Sequence, residues 1–257
     1  MNALTQSLLG PWSLDPVVLL GCAAATGAYA LLFRARGRWR YFLAAIVLTL
    51  ATLMSPLNTL ATGVLFSAHM TQHILLLLIV PALAMLSLPA DLRLSHALTS
   101  WPVTGAGWIA GVGSMWFWHT PQLCDAAAVN PVFHAVQTTS LLTMGGLFWL
   151  PILAPRPTDR VAPMIGVGYL FTACLACTAL GILLTLTPIE VCTAFRAPEN
   201  APGLLGRVRQ FVGAQRDQQI GGLLMWLPMC LVYLTGIMWE FARWMGVHGT
   251  TTQEAHR

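Results

Sequence analysis

The sequence predicts an all-α fold: one polytopic membrane domain, residues 1–257, made of seven transmembrane helices. Hydrophobic residues account for 56% of the 257 residues and charged residues for only 9%, whereas a soluble domain carries about 25% charged residues. Because no long soluble domain separates the apolar stretches, we expect the chain to lie in the lipid bilayer. Seven apolar stretches are long enough to cross a hydrocarbon layer of about 30 Å at 1.5 Å of rise per residue. They cover roughly residues 16–33, 41–60, 64–89, 102–118, 131–153, 161–187 and 219–244.

The arginines predict how the bundle is oriented. The net charge of +4 comes from thirteen arginines without any lysine. With the N-terminus outside, nine of them fall on the cytoplasmic side, and Arg196, Arg207, Arg209 and Arg216 share one long outer loop. Because cytoplasmic loops carry the excess of positive charge, we expect the N-terminus outside and the C-terminus in the cytoplasm. The arginines form no basic stripe with interleaved aromatics, which excludes a nucleic-acid partner.

Histidines mark the candidate functional site. His69 and His73 are four residues apart and share one face of the third predicted helix. In the predicted topology, His119 and His134 reach the same depth in the outer half of the membrane. Ligand-type side chains inside a span are costly and therefore indicate function. Imidazole suits copper, zinc and iron. We predict a metal site with His69, His73 and His134 as leading ligands and His119 as a further candidate; the alternative is that these histidines bond neighbouring helices as packing contacts.

Two other residues receive supporting roles. The thioether of Met70 suits Cu(I), although methionine is also an ordinary packing residue. Asp217 opens the last predicted helix, where it either caps that helix or orients a histidine ligand from behind. Gly221-Gly222 in the same helix predict the close approach of another helix.

The cysteines are interpreted as structural. Cys174 and Cys177 form a C-x-x-C pattern inside the sixth predicted helix, where small neighbouring residues indicate close helix packing. Cys124 and Cys192 both fall on the predicted outer side, where a disulfide bond is permitted.

Five motifs carry a resemblance to a known family. They are His69-Met70-Thr71-Gln72-His73, Trp118-His119-Thr120-Pro121, Phe133-His134, Phe148-Trp149-Leu150-Pro151 and the stretch from Asp217 to Trp226. Over about residues 17–245, the chain resembles the CtaG family, seven-span membrane proteins that assemble bacterial caa-type cytochrome c oxidase. The resemblance implies a plasma-membrane protein without enzymatic activity. It also implies copper handling for the metal centres of the oxidase, with cytochrome c oxidase subunits as partners.

Two other functions stay open. A haem-binding redox subunit would use His69 or His73 together with His134 as axial ligands from facing helices. A copper transporter or an oxidase-binding scaffold would use the same site structurally. A transporter predicts polar groups along its whole path, and the inner halves of the predicted helices are apolar, which argues against a through-channel.

Overall fold

The computed structural model describes residues 12–34, 36–95, 98, 100–195 and 210–255, with side chains up to residue 246. Every regular element in these ranges is helical, which confirms the predicted all-helical fold. Four of the arginines that predict the orientation lie outside the described residues, namely Arg196, Arg207, Arg209 and Arg257.

The helices follow one another with short connections. They are α1 (Pro16–Phe33), α2 (Trp39–Met54), α3 (Pro56–Ala61), α4 (Phe66–Ile74), α5 (Val80–Ser87), α6 (Trp101–Trp118), α7 (Pro121–Val129), α8 (Pro131–Leu153), α9 (Pro163–Leu186) and α10 (Ala214–Ala255). A π-helical turn, Leu75–Ile79, joins α4 to α5, and short 3₁₀ turns lie at Pro157–Asp159 and Thr193–Phe195.

Five helical stretches in the described ranges are long and apolar enough to cross a membrane. They are α1, α4 through α5, α8, α9, and α10 as far as Gly246. Helix α2 is apolar but has only 16 residues. Helix α6 has 18 residues, but its four tryptophans and four glycines lower its apolar character. A helical membrane protein is therefore confirmed, while seven crossings and their orientation stay predictions.

The second predicted span, 41–60, is broken in two. Helix α2 ends at Met54, and α3 starts at Pro56 after an extended residue, Ser55. The Ser55 hydroxyl accepts a hydrogen bond from the Leu57 amide at 3.2 Å, so it caps the new helix. The prediction of one continuous helix is wrong because proline lacks an amide hydrogen and clashes with the preceding turn.

Two other helices differ from the predicted pattern. Helix α7 fills the segment between the fourth and fifth predicted spans, where no helix is predicted, and it starts with a proline in its first turn. Helix α10 starts at Ala214, earlier than predicted, and continues to Ala255. Hydrophobic periodicity misses both because α7 is short and the ends of α10 are polar.

Helix α8 holds the stretch from α4 to α5 in place. The indole nitrogen of Trp149 donates a hydrogen bond at 2.9 Å to the carbonyl oxygen of Leu78, within the π-helical turn. A π-helical turn disturbs the regular α-helical ladder, and this indole satisfies one carbonyl of the turn. Gly145 lies directly against the Leu77 carbonyl, where a Cβ atom would overlap the oxygen. Both contacts fix the position of the helix that carries the two adjacent histidines.

Glycines let α10 pack closely on its neighbours. A Cβ atom at Gly181 would lie 2.7 Å from the Cβ atom of Trp226, and one at Gly222 would lie 3.0 Å from the Gly181 carbonyl oxygen. A Cβ atom at Gly221 would lie 2.5 Å from the ring of Phe66 on α4. The close approach predicted at Gly221-Gly222 is therefore present on two sides of α10.

Gly145→Ala should destabilise the fold, because the added methyl group meets the Leu77 carbonyl and the Pro81 ring. Overpacking of this kind costs about 1–3 kcal/mol, and thermal unfolding of the detergent-solubilised protein measures it. Gly146→Ala is the matched control, since a Cβ atom there meets nothing within 4 Å and alanine is the better helix former. Equal unfolding temperatures for the two variants would contradict the described packing of α8.

Candidate metal-binding site

His69 and His73 lie side by side on α4, and both are at most 1% exposed. The Nδ1 atom of His69 is 3.1 Å from the Ala61 carbonyl oxygen, and the two Nε2 atoms are 3.1 Å apart. Since a carbonyl oxygen only accepts, His69 donates from Nδ1, and its neutral ring keeps an unprotonated Nε2. His73 then donates from Nε2 to His69, and Nδ1 of His73 has no hydrogen-bond partner among the described residues. The Nε2 lone pair of His69 is thus held in a fixed orientation, in which it accepts the hydrogen bond from His73.

His119 follows the last residue of α6 and faces Met70 on α4. Its Nδ1 donates to the Met115 carbonyl oxygen at 2.5 Å, which leaves Nε2 unprotonated in the neutral ring. This Nε2 atom lies 3.0 Å from the Met70 sulfur. In this tautomer neither atom carries a hydrogen, so two lone pairs converge without a hydrogen bond. A cation that accepts both lone pairs would satisfy the arrangement.

The two pairs form one buried group, His69, Met70, His73 and His119, which we call the histidine cluster. The ring centroid of His73 is 4.6 Å from that of His69 and 5.0 Å from that of His119. Across the described residues, no three His, Cys, Asp or Glu side chains stand in a metal-binding array. The cluster could therefore give a metal ion three or more donors only if the Met70 thioether is one of them and the imidazole side chains rotate. Metal binding stays a prediction.

His134 lies near the cluster without joining it. Both of its ring nitrogens are buried, and neither has a hydrogen-bond partner in the described part of the chain. The ring is close enough to His69 and His73 for their charges to interact. The structure thus brings His119, rather than His134, into direct contact with the other candidate ligands. His134 is a further donor with two unsatisfied nitrogens.

An aromatic side chain covers the cluster. The ring centroid of Phe195 is 5.6 Å from that of His69 and 5.7 Å from that of Phe66. Phe195 is itself only 3% exposed. The covering ring keeps water away from the imidazoles, so electrostatic interactions in the cluster are stronger than they would be in water.

The segment that carries this ring is held to α7. A disulfide bond joins Cys124 on α7 to Cys192, the pair that the predicted topology allows. Next to it, the Asp125 carboxylate accepts hydrogen bonds from the Thr193 hydroxyl at 2.7 Å and the Ala194 amide at 2.8 Å. The cover over the histidine cluster is therefore fixed covalently and by hydrogen bonds.

Asp217 organises the start of the histidine helix. Its carboxylate accepts hydrogen bonds from the Phe66 amide at 2.6 Å, the Ser67 amide at 3.1 Å and the Ser67 hydroxyl at 2.6 Å. Leu65, the residue that precedes α4, provides no side-chain cap. A carboxylate is favourable at the positive end of a helix dipole. Asp217, placed in the first turn of α10 as predicted, therefore caps a different helix and positions His69 through that helix's backbone.

The next residues of α10 complete this arrangement. Gln218 accepts a hydrogen bond from the Val191 amide at 2.8 Å and donates to the Ile189 carbonyl at 3.0 Å, which ties down the segment before the disulfide. Gly221 leaves room for Met70, since a Cβ atom there would lie 3.1 Å from the methionine Cγ. One turn of α10 therefore positions both the cluster and its cover.

Sequence reasoning overlooks two buried glutamines. Gln72 donates to the Thr52 carbonyl and to Asn58 Oδ1, both at 3.0 Å, and so fixes the break before α4. The side-chain nitrogen of Gln137 lies 3.5 Å from Nε2 of His69. Each glutamine is 1% exposed. The signal that could have found them is an amide side chain in the middle of an apolar span, which is costly unless it is hydrogen-bonded.

Residues 25–246 match the family model described as cytochrome c oxidase caa3 assembly factor (Caa3_CtaG). The chain belongs to this family. The resemblance carried by the five motifs is thereby confirmed: the family is described as assembling cytochrome c oxidase, and the membrane helices of this chain imply a lipid bilayer.

The comparisons with individual proteins add little to the family assignment. An uncharacterized protein of Mycobacterium leprae (strain TN) is 25% identical over 237 residues, which cover 80% of this chain and 34% of that protein. The chain thus spans about a third of the length of this relative. No solved structure matches the chain.

Asp217→Asn should loosen α4, because the amide nitrogen replaces an oxygen that accepts from Phe66 or Ser67. Hydrogen bonds to a charged group contribute about 1.5–3 kcal/mol, and thermal unfolding in detergent measures the loss. Hydrogen exchange should be faster at the first amides of α4. Asp15→Asn is the matched control, since Asp15 caps α1 in an exposed position where asparagine serves as well. Equal effects of the two substitutions would refute the described role of Asp217.

Proposed function

We propose that the protein is a non-enzymatic assembly factor that holds Cu(I) at the histidine cluster and passes it to a subunit of cytochrome c oxidase. The observation that carries the proposal is the pair formed by His119 Nε2 and the Met70 sulfur, 3.0 Å apart in a buried site. Copper is the cargo, which is bound for transfer and then released. The assembly-factor family supplies the identity of the client.

The donor atoms favour copper over other metals. The cluster offers imidazole nitrogens and one thioether, and soft thioether ligands select Cu(I). Structural zinc sites take four ligands from thiolate, imidazole and carboxylate groups, and the cluster has neither a thiolate nor a carboxylate. A singly charged ion also costs less to place in an apolar site than a doubly charged one. The Asp217 carboxylate, which binds the start of the helix that carries His69, offsets part of that charge.

The backbone prepares two of the donors. The carbonyl groups of Ala61 and Met115 accept from Nδ1 of His69 and His119. Such a bond on the far side of a ligating imidazole fixes the tautomer and raises the basicity of the other nitrogen. His73 donates to the Nε2 lone pair of His69, so copper must displace this hydrogen bond before either Nε2 atom coordinates. The pair of His119 and Met70, together with two imidazoles that rearrange, suits an ion that is to be handed on.

The proposed topology has seven crossings, with the N-terminus outside, the C-terminus in the cytoplasm and the plasma membrane as the location. Helices α2 and α6 are roughly 24 and 27 Å long at 1.5 Å per residue, and a bilayer accommodates short spans by local thinning. This orientation places the histidine cluster in the outer half of the membrane. Copper then reaches the oxidase without entering the cytoplasm.

The close packing of the cluster is a reason to prefer copper to haem. Two axial imidazoles must stand on opposite faces of a porphyrin. The haem alternative pairs His69 or His73 with His134, but Nε2 of His69 and Nε2 of His73 are 3.1 Å apart, and the rings of Phe195 and His119 lie against them. A haem would have to displace several of these side chains.

The double variant His69→Ala, His73→Ala should lose the copper bound at the cluster. Removing ligands should weaken binding by more than the roughly 10- to 100-fold cost of losing an outer hydrogen-bond partner. Anaerobic titration of the purified full chain with Cu(I) against a chromogenic chelator measures the affinity. In a strain that lacks the protein, the variant should also restore less oxidase activity than wild type under copper limitation.

His134→Ala is the comparison variant, because no hydrogen bond joins His134 to the cluster in the described part of the chain, and its effect should be the smaller. A double variant that keeps the wild-type copper affinity, or restores full oxidase activity, would refute the proposal. A Soret band in the wild-type protein that the double variant lacks would move the assignment to haem.

A further inference from the structure

A second group of sulfur atoms lies between α9 and α10. The sulfur atoms of Cys174 and Cys230 are 3.2 Å apart across the interface of the two helices, and the Thr178 hydroxyl is 3.2 Å from the Cys230 sulfur. One turn from Cys174, the Cys177 sulfur lies 3.6 Å from the Tyr233 hydroxyl. The spacing of Cys174 and Cys177 alone indicates packing, but Cys230 brings a thiol from a distant part of the chain to the same point.

This thiol group lies deeper in the bundle than the histidine cluster. Gly221 on α10 packs against Met70 of the cluster, and Cys230 is nine residues farther along the helix, a distance of roughly 13 Å. Met225 and Met229 lie between them at helical steps of four residues, and both are fully buried. The thioether sulfurs of Met225 and Met229 therefore lie along α10 between the depth of the histidine cluster and the depth of the thiols.

Two thiols that face each other from separate helices can both bind one soft metal ion. Thiolate and thioether sulfur select Cu(I) among biological metals, and two donors from separate helices converge here on one point. Sulfur atoms that share an ion at a bond length of about 2.3 Å stand farther apart than 3.2 Å. Cys174 and Cys230 are both only partly buried, which leaves room for the side-chain rotation that would separate their sulfurs.

We propose that Cys174 and Cys230 form a second binding site for a soft monovalent ion of the Cu(I) class, with Cys177 as an additional donor. Binding converts one thiol to a thiolate and releases one proton, while the other cysteine coordinates as a thiol. The complex of one monovalent cation and one thiolate is neutral, so it tolerates an apolar environment far better than a free ion. No oxidation or reduction is involved.

The proposal goes beyond the function proposed above and does not depend on it, because the two sites share no residue. A chain with both sites holds two ions, one bound by imidazole and thioether and the other bound by thiols. The thiol site would hold its ion even if the histidine cluster held none.

The test is an anaerobic Cu(I) titration of the full-length protein, with its free thiols reduced and its Cys124–Cys192 disulfide intact, against a chromogenic chelator. Wild type should bind one more equivalent than the double variant Cys174→Ser, Cys230→Ser. Cys22→Ser is the matched control, since Cys22 is a free, partly buried cysteine on α1, and it should leave the stoichiometry unchanged. A single Cys230→Ala variant, which makes a smaller change at the helix interface, should also lose this equivalent.

Copper X-ray absorption of the His69→Ala, His73→Ala protein provides the second measurement, because the remaining ion should show sulfur neighbours only. The thiol site is refuted if Cys174→Ser, Cys230→Ser retains every equivalent that wild type binds. It is also refuted if the histidine variant binds no Cu(I) while wild type binds one equivalent; in that case the proposed function stands and the thiols are packing residues. If the His69→Ala, His73→Ala protein binds as many equivalents of Cu(I) as wild type, and its copper has sulfur neighbours only, the histidine site alone is refuted.

Discussion

The hydrogen bonds from the start of α4 to Asp217 are the interaction on which the histidine site depends. Helix α4 has only nine residues, has no cap of its own and passes at its other end into a π-helical turn. The helix continues through this turn into α5 as one stretch of 22 residues, Phe66–Ser87, and its position is set by its neighbours. The buried carboxylate of α10 fixes one end, and the indole of Trp149 fixes the turn beyond the other.

The first turns of α10 act as the scaffold for everything around the cluster. Asp217 holds the helix of His69, Gln218 holds the segment that leads to the covering ring, and Gly221 leaves room for Met70. Because these functions fall on one short stretch, a displacement of α10 would move the donors and their cover together. The same helix continues past the cluster to Cys230, so both proposed ion sites lie along one helix.

The sequence was sufficient to predict the helical membrane fold and to single out His69 and His73 as candidate ligands, because polar side chains in apolar spans are conspicuous. It was insufficient for contacts that depend on how helices rotate and cross. Periodicity gives the face of each helix but not the angle between two helices, so the contact of His119 with Met70 and the approach of Cys230 to Cys174 could not be derived. The Ser55-Pro56 pair is a signal for a helix break, but it lies within a long apolar stretch that otherwise predicts one continuous span.

The most direct test of the central claim is the copper X-ray absorption spectrum of the Cys174→Ser, Cys230→Ser protein loaded with one equivalent of Cu(I). Our account predicts imidazole nitrogens and one thioether sulfur around the ion, and it predicts that Met70→Leu removes the sulfur while the nitrogen signal remains. A spectrum without imidazole, or a sulfur signal that persists after Met70→Leu, would contradict copper binding at the histidine cluster.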